Sequence, residues 1–323
     1  MADARRLYPD FDITRSWKLP DVPVLPGDEP LDGYLRRLGF TDVQMQYVRR
    51  AYANATGESP QYISALASLE DIGKFGNGDF RILDGYDCLL AALAEGVDIR
   101  LNTVVEAVDW SGESVRVCTA DGQVYEAGNA IITLPLGVLQ AGRVRFTPEL
   151  PAGKQAAVRS LRMGPVIKLV YAFGEPVLPE GIFSFSSQLI PPVWWSPSFG
   201  QPDNGCHIVT GFASGDWARE LLALGETGAL EKGLDSLRTE LNRPDLRPTA
   251  AALVNWPADP FAMGGYSVAT PGQAGARAEL ARPLSKRLYF AGEATAPNDM
   301  AATVHGAYVT GRRAASEVIA GSQ

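Results

Sequence analysis

LYFAGEATAPNDMAATVHGAYVTGRRAASEVIA, residues 288–320, decides the reading of this chain. Leu288, Tyr289, Phe290 and Ala291 form a short apolar run closed by Gly292, the pattern of a buried strand ending where something must approach the backbone. From Thr303 onward, Val304, Ala307, Tyr308, Gly311, Ala314, Ala315, Val318 and Ile319 fall near helical spacing, with Arg312, Arg313 and Glu317 on the other side. A helix starting there presents unpaired N–H groups and partial positive charge, which favours an anion. The connection of roughly ten residues between strand and helix is longer than an ordinary α/β turn. Gly306 and Gly311 give the helix a thin face against which a large, flat group can lie.

The chain has 323 residues, 46% hydrophobic and 20% charged, enough for a large core divided between two domains. A net charge of -8 argues against nucleic acid or an anionic membrane as partner. Cys88, Cys118 and Cys206 are odd in number and outside any CxxC pair, so they read as reduced thiols of a cytoplasmic protein. The opening MADARRLYPDFDITRSWKLP has no signal-peptide core, and no apolar run is long enough to span a membrane. With only His207 and His305 and no paired cysteines, a structural zinc site is not expected.

Along the chain, residues 1–80 read as helical with loops, including a proline cluster between Pro20 and Pro30 and helices over 31–38 and 42–53. GYDCLLAALA at 85–94 reads as a helix with Leu89, Leu90 and Leu93 inward. Four strand-like runs follow, with Asp121-Gly122 as a hairpin signal and the continuous run 130–134 as a buried parallel strand. A helix over 154–161 leads to VIKLVYAF at 166–173, an alternating strand carrying one lysine, Lys168. Residues 174–215 suit strands with long loops, and helices follow over 217–224 and 228–241. The predicted organisation is 1–80 helical part of a substrate domain, 81–150 cofactor-domain strands, 151–260 substrate sheet and helices, and 261–323 the closing part of the cofactor domain. A GxGxxG turn, which normally opens a dinucleotide-binding fold, is missing; GNGDF at 76–80 lacks the third glycine and a preceding apolar strand.

The segments LDGYDCLLAALAEGVDIRLNTVV, NAIITLPLGVL, VIKLVYAF, NWPADPFAMGGYS and LYFAGEATAPNDMAATVHGAYVTGRRAA, in this order, closely resemble the flavin-containing amine oxidases: monoamine and polyamine oxidases and flavin-type histone demethylases. The resemblance covers nearly the whole chain. It implies an α/β fold, in which part of an FAD/NAD(P)-binding Rossmann-like domain joins an α+β substrate domain of amine-oxidase type. It also implies that the N-terminal GxGxxG unit of the family is absent here, to be supplied by a missing N-terminal segment or a second chain.

Carried over by position, the resemblance makes Gly292 and Glu293 neighbours of the FAD pyrophosphate and ribityl chain, and Val105 the adenine contact. Ala302, Thr303 and Val304 become the turn of the last helix that meets the flavin pyrimidine edge, where N–H groups stabilise charge on a reduced flavin. Lys168 matches the lysine that reaches flavin N5 through water. Trp256, Phe261 and Tyr266 match the aromatic wall, with Tyr266 one side of an amine cage. The second cage position falls on Thr303, where monoamine oxidases have tyrosine, which is closer to the polyamine oxidase and demethylase branch. Gly265 stands where covalently flavinylated members have cysteine, so non-covalent FAD is expected. No acidic cluster reads as a polyamine-binding throat.

The implied activity is oxidation of a small-molecule amine by hydride transfer to FAD, imine hydrolysis, and reoxidation by O2 with release of H2O2. Two rivals stand beside it: a non-catalytic remnant or scaffold that binds no FAD alone, and a related flavoprotein desaturase or oxidase on a non-amine. Taken singly, Lys168 is a snorkelling surface lysine, Glu293 a turn carboxylate, and Trp256 and Tyr266 core aromatics. Trp194 and Trp195 read as packing residues, with the lining of a substrate channel as the alternative, His305 as structural and Arg312-Arg313 as a solvated helix face.

Overall fold

A computed structural model describes residues 27–71, 82–201 and 204–321. The proline cluster up to residue 26 and the GNGDF segment lie outside the described residues. The helices are α1 (Leu31–Arg37), α2 (Asp42–Thr56), α3 (Ala65–Asp71), α4 (Tyr86–Ala94), α5 (Leu136–Gln140), α6 (Ala152–Ser160), α7 (Gly215–Ala223), α8 (Gly225–Leu241), α9 (Ala276–Ala281) and α10 (Val304–Gly321). The first strands are β1 (Val105–Asp109), β2 (Val115–Thr119), β3 (Val124–Ala127), β4 (Ala130–Ile132), β5 (Arg145–Thr147) and β6 (Leu161–Met163). After these come β7 (Val166–Phe173), β8 (Ser184–Ser186), β9 (Val193–Trp195), β10 (His207–Ser214), β11 (Ala250–Asn255), β12 (Ser267–Ala269) and β13 (Leu288–Phe290).

An antiparallel five-stranded sheet in the order β11-β7-β10-β9-β8 dominates one part of the molecule. The alternation of VIKLVYAF sends Ile167, Leu169, Tyr171 and Phe173 into a core shared with α7 and α8, where Ala218, Leu221, Ala229 and Leu237 meet them. Each such large side chain contributes roughly 1.5–3 kcal/mol of burial free energy. Tyr171 donates its hydroxyl to Leu230 O at 2.7 Å, so its polar end is satisfied inside that core. Trp194 is fully buried there, whereas Trp195, one residue on, faces the opposite side of the sheet.

A second sheet, in the order β3-β2-β1-β5, is turned at Asp121-Gly122 as the sequence predicts. It packs on the parallel pair β4-β13, where Val108, Val115, Ile132, Leu288 and Phe290 form a common core. The short antiparallel pair β6-β12 ties the chain around residue 162 to the chain around residue 268. Beside it, α6 and α9 are joined by a buried lysine. Lys154 Nζ donates to the carbonyls of Glu279, Leu280 and Arg282 at 3.1, 2.8 and 2.6 Å, closing the C-terminal end of α9. Burial holds this amine down at about 8 despite the neighbouring Glu279 carboxylate.

One expectation fails. Leu89, Leu90 and Leu93 on α4 do not face inward but are 37%, 60% and 52% exposed. Val97, Ile99 and Leu101 continue the same open apolar surface. An apolar helical stripe is buried only by an element set against it, and no described element covers this one.

Candidate active site

The site side of the five-stranded sheet is fixed by strand register. Lys168 lies opposite Phe212 on β10 and Val254 on β11, while Phe212 lies opposite Val193 and Val193 opposite Ser186. The next row on this face is Ala252, Val170, Thr210, Trp195 and Ser184. Lys168 Nζ stands 5.9 Å from the Trp195 ring centroid, and Trp195 is tilted against Phe212 with centroids 5.9 Å apart. The sequence favours packing over a channel lining for both tryptophans; the strand alternation that buries Trp194 turns Trp195 toward Lys168.

β11 runs straight into the loop that carries Trp256 and Phe261. Asn255 caps its first turn by accepting the Ala258 N–H, and Asp259 accepts the N–H of Phe261 at 2.7 Å. Trp256 O accepts the Gly264 N–H at 3.1 Å, so the loop closes on itself just before Gly265 and Tyr266. Those two residues pair with Gly164: Gly265 N donates to Gly164 O, and Gly164 N donates to Tyr266 O, both at 2.9 Å. A Cβ at Gly265 would collide with Val166 at the start of β7, so this position packs as bare backbone.

Tyr266 rests on the backbone of Gly57, where a Cβ would lie 2.5 Å from the Tyr266 Cε2. Burial, reinforced by the Glu293 carboxylate, pushes the Tyr266 phenol well above its ordinary value, so the ring stays neutral. Next to Gly57, the wholly buried Glu58 carboxylate is gripped by Arg162 Nε at 2.6 Å and by Arg219 Nη1 and Nη2 at 2.9 and 2.5 Å. This clamp joins the 27–71 segment, β6 and α7 directly behind the tyrosine. Nothing in the local sequence around Glu58 signalled it, because its partners lie more than a hundred residues away.

A second network fixes the opening stretch. The Arg277 guanidinium, buried on α9, donates to Ser267 Oγ at 2.6 Å and Ser267 O at 2.8 Å. Ser267 in turn donates its N–H and hydroxyl to the two Glu293 oxygens at 3.1 and 2.8 Å, and Ala302 N–H donates to Glu293 Oε2 at 2.9 Å. Glu293 is thus turned inward. Thr303 follows as the N-cap of α10: its hydroxyl donates to Met300 O at 2.7 Å and accepts the Gly306 N–H at 3.0 Å. The side-chain cap takes one of the N–H groups that sequence reasoning left free.

At the other end of the connection, Gly292 has φ of 115°, a conformation that excludes ordinary side chains, and among the described residues none beyond its chain neighbours comes within 4 Å of where a Cβ would sit. Thr310 clamps the Gly292 backbone from α10, accepting its N–H at 3.0 Å and donating to its carbonyl at 3.1 Å. Val304 and Tyr308 of α10, Ile131 of β4 and Phe261 all present apolar surface to the outside, with Phe261 63% exposed. An open glycine backbone, a helix N-terminus and exposed apolar side chains suit a flat aromatic group bearing phosphates. Val105 sits apart from these, at the start of β1, against the β4-β13 core. An open groove of about 560 Å³ between α5, β5 and α6 shares none of the residues above.

This arrangement defines a class. The family of flavin containing amine oxidoreductases matches residues 26–319, and the chain belongs to it. Polyamine oxidase 4 of Oryza sativa subsp. japonica is 35% identical over 244 residues, covering 73% of this chain and 48% of that protein. Lysine-specific histone demethylase 2 of Homo sapiens is 28% identical over 337 residues, covering 96% of this chain and 40% of that protein. Among solved structures, wild-type putrescine oxidase bound to putrescine has a TM-score of 0.76 at 18% identity, covering 94% of this chain and 70% of that one. A double mutant from a redesign of cofactor binding in putrescine oxidase has a TM-score of 0.77 at 19% identity, with the same coverage. The chain therefore spans about half the length, or less, of the curated relatives it matches.

Proposed function

We propose that this chain carries the substrate sheet and the flavin-facing helix of an FAD-dependent amine oxidase. The observations that support it most are the pairing of Gly265 and Tyr266 with Gly164, just before the strand that carries Lys168, and the Glu293 carboxylate that ties Ser267 to the start of α10. For a primary amine the balance is RCH2NH2 + O2 + H2O giving RCHO, NH3 and H2O2. When bound, FAD supplies the two-electron acceptor and its reoxidation by O2.

In this reading the chain's own residues do four things. Tyr266 and Thr303 border the amine, the neutral phenol ring offering an aromatic face. Lys168 holds and polarises water at the sheet surface. The N-terminal turn of α10, locked by Glu293 and Thr303, places partial positive charge where negative charge develops. Gly292, Ala302 and Val304 receive the cofactor's polar chain and ring edge, Trp256 and Phe261 wall it, and Val105 borders the adenine. The bare backbone at Gly265 offers no thiol, which supports non-covalent FAD.

The parallel pair β4-β13 leaves the outer edge of β4 without a described strand, and the apolar face of α4 is exposed as well. Parallel strands are at home in wider, covered sheets. A strand-helix-strand unit bearing the GxGxxG turn, from a preceding segment or a second chain, fits there. The rival reading, a scaffold that holds no flavin, draws on the same open face. Adding FAD to the protein isolated with whatever chain accompanies it, then desalting, separates the two. A retained flavin absorption band is the expected result; a colourless protein favours the scaffold.

A further inference from the structure

Given the amine-oxidase reading, on which this step rests, we infer that the site selects a monoamine with an aromatic or bulky apolar body and rejects diamines and polyamines. The inference comes from the site face of the five-stranded sheet. Its rows are Val254-Lys168-Phe212-Val193-Ser186 and Ala252-Val170-Thr210-Trp195-Ser184, followed by Ala250, Ala172 and Ile208. The one ionisable side chain in those rows is basic, Lys168. Not one carboxylate is present to receive a second ammonium.

Among the described residues, the carboxylates of Glu58, Glu293 and Asp259 already accept hydrogen bonds. Both Glu58 oxygens are bound by Arg162 and Arg219, with Ser59 N–H adding a third donor at 2.8 Å. Both Glu293 oxygens are taken by Ser267 and Ala302. Asp259 turns back on the Phe261 N–H of its own loop. A diamine whose second nitrogen lay over this sheet face would meet Lys168 and no carboxylate of the face. An unpaired ammonium in such surroundings is strongly disfavoured, and the like charge of Lys168 adds to the penalty. By contrast, Trp195 and Phe212, in contact with each other and beside Lys168, offer ring faces to an aromatic body. Trp195 is the specificity-determining residue in this account.

The test is calorimetric titration of the FAD-supplemented protein with 2-phenylethylamine and with putrescine, in the wild type, Trp195→Ala and Trp195→Phe. Phenylethylamine should bind at least tenfold more tightly than putrescine. The preference should fall at least tenfold in Trp195→Ala and return in Trp195→Phe, a rescue that a merely structural role of the indole would not produce. Equal or tighter binding of putrescine, binding of neither amine, or a preference untouched in Trp195→Ala would overturn the inference. Peroxide release read in parallel separates this from the parent reading. Peroxide from putrescine alone keeps amine oxidation and discards the inference; selective phenylethylamine binding with no peroxide from either amine keeps the inference and discards oxidation.

Discussion

The Glu293 carboxylate accepts the backbone N–H of Ala302 at 2.9 Å, bridging the end of β13 to the turn that starts α10. Ala302 has φ of 59°, the left-handed region that costs a non-glycine residue about 1 kcal/mol. Glu293→Ala removes the acceptor for three donors, two of them on buried Ser267. A loss of about 2–3 kcal/mol is expected in denaturant unfolding. Hydrogen exchange at residues 302–306 should accelerate more than at α8, which does not touch the network.

The Glu58 clamp should be of similar weight. Its carboxylate is buried, but Arg162 and Arg219 are 38% and 36% exposed, which screens the pair and discounts the value of a fully buried bridge. Glu58→Gln is expected to lower stability by about 2 kcal/mol. Because the Tyr266 ring rests on the adjacent Gly57, the variant should also shift the Tyr266 ring resonances in an NMR spectrum, whereas Asp235→Asn on distant α8 should leave them in place.

Lys154 gives a pH signature. With a folded value of about 8 against 10.5 for a free lysine, the unfolded chain binds more protons between those pH values, so this group adds stability as pH rises through that window. The charged amine costs up to about 3 kcal/mol at neutral pH relative to the neutral one. Urea unfolding of wild type and Lys154→Met should show the wild type gaining on the variant from pH 7.5 to pH 10. A difference that is flat with pH would contradict the assignment.

Gly265→Ala should be destabilised by about 1–3 kcal/mol, since its Cβ meets the Val166 side chain at the start of a packed strand. The double variant Gly265→Ala with Val166→Ala frees that space and should recover part of the loss. Thermal unfolding of the two variants is sufficient to check this.

The sheet core was legible in VIKLVYAF because both sides of β7 are constrained: one packs on helices, the other carries the lysine, and the alternation records both. The α10 helix was legible for the same reason, and Ala130 to Leu134 carried the apolar signature of a parallel strand. The orientation of α4 was not, since Leu89, Leu90 and Leu93 show that the helix has an apolar face but cannot show which element covers it. The two clamps were equally hidden. Arg277, Ser267, Glu293 and Ala302, like Glu58, Arg162 and Arg219, are ordinary polar residues in their local context and acquire meaning only when tertiary packing brings them together. Trp195 stood between these cases: strand alternation assigns it the opposite face from Trp194, once the VWW segment is known to be a strand.

The most direct measurement is amine-dependent H2O2 release by the FAD-loaded protein, compared between wild type and Lys168→Met. The account predicts peroxide formed one-for-one with aldehyde in the wild type, and a fall of about a hundredfold or more in the variant, the scale of a positioned proton-handling group. Absence of amine-dependent peroxide from the flavin-bearing protein, or a rate unchanged by Lys168→Met, would contradict it.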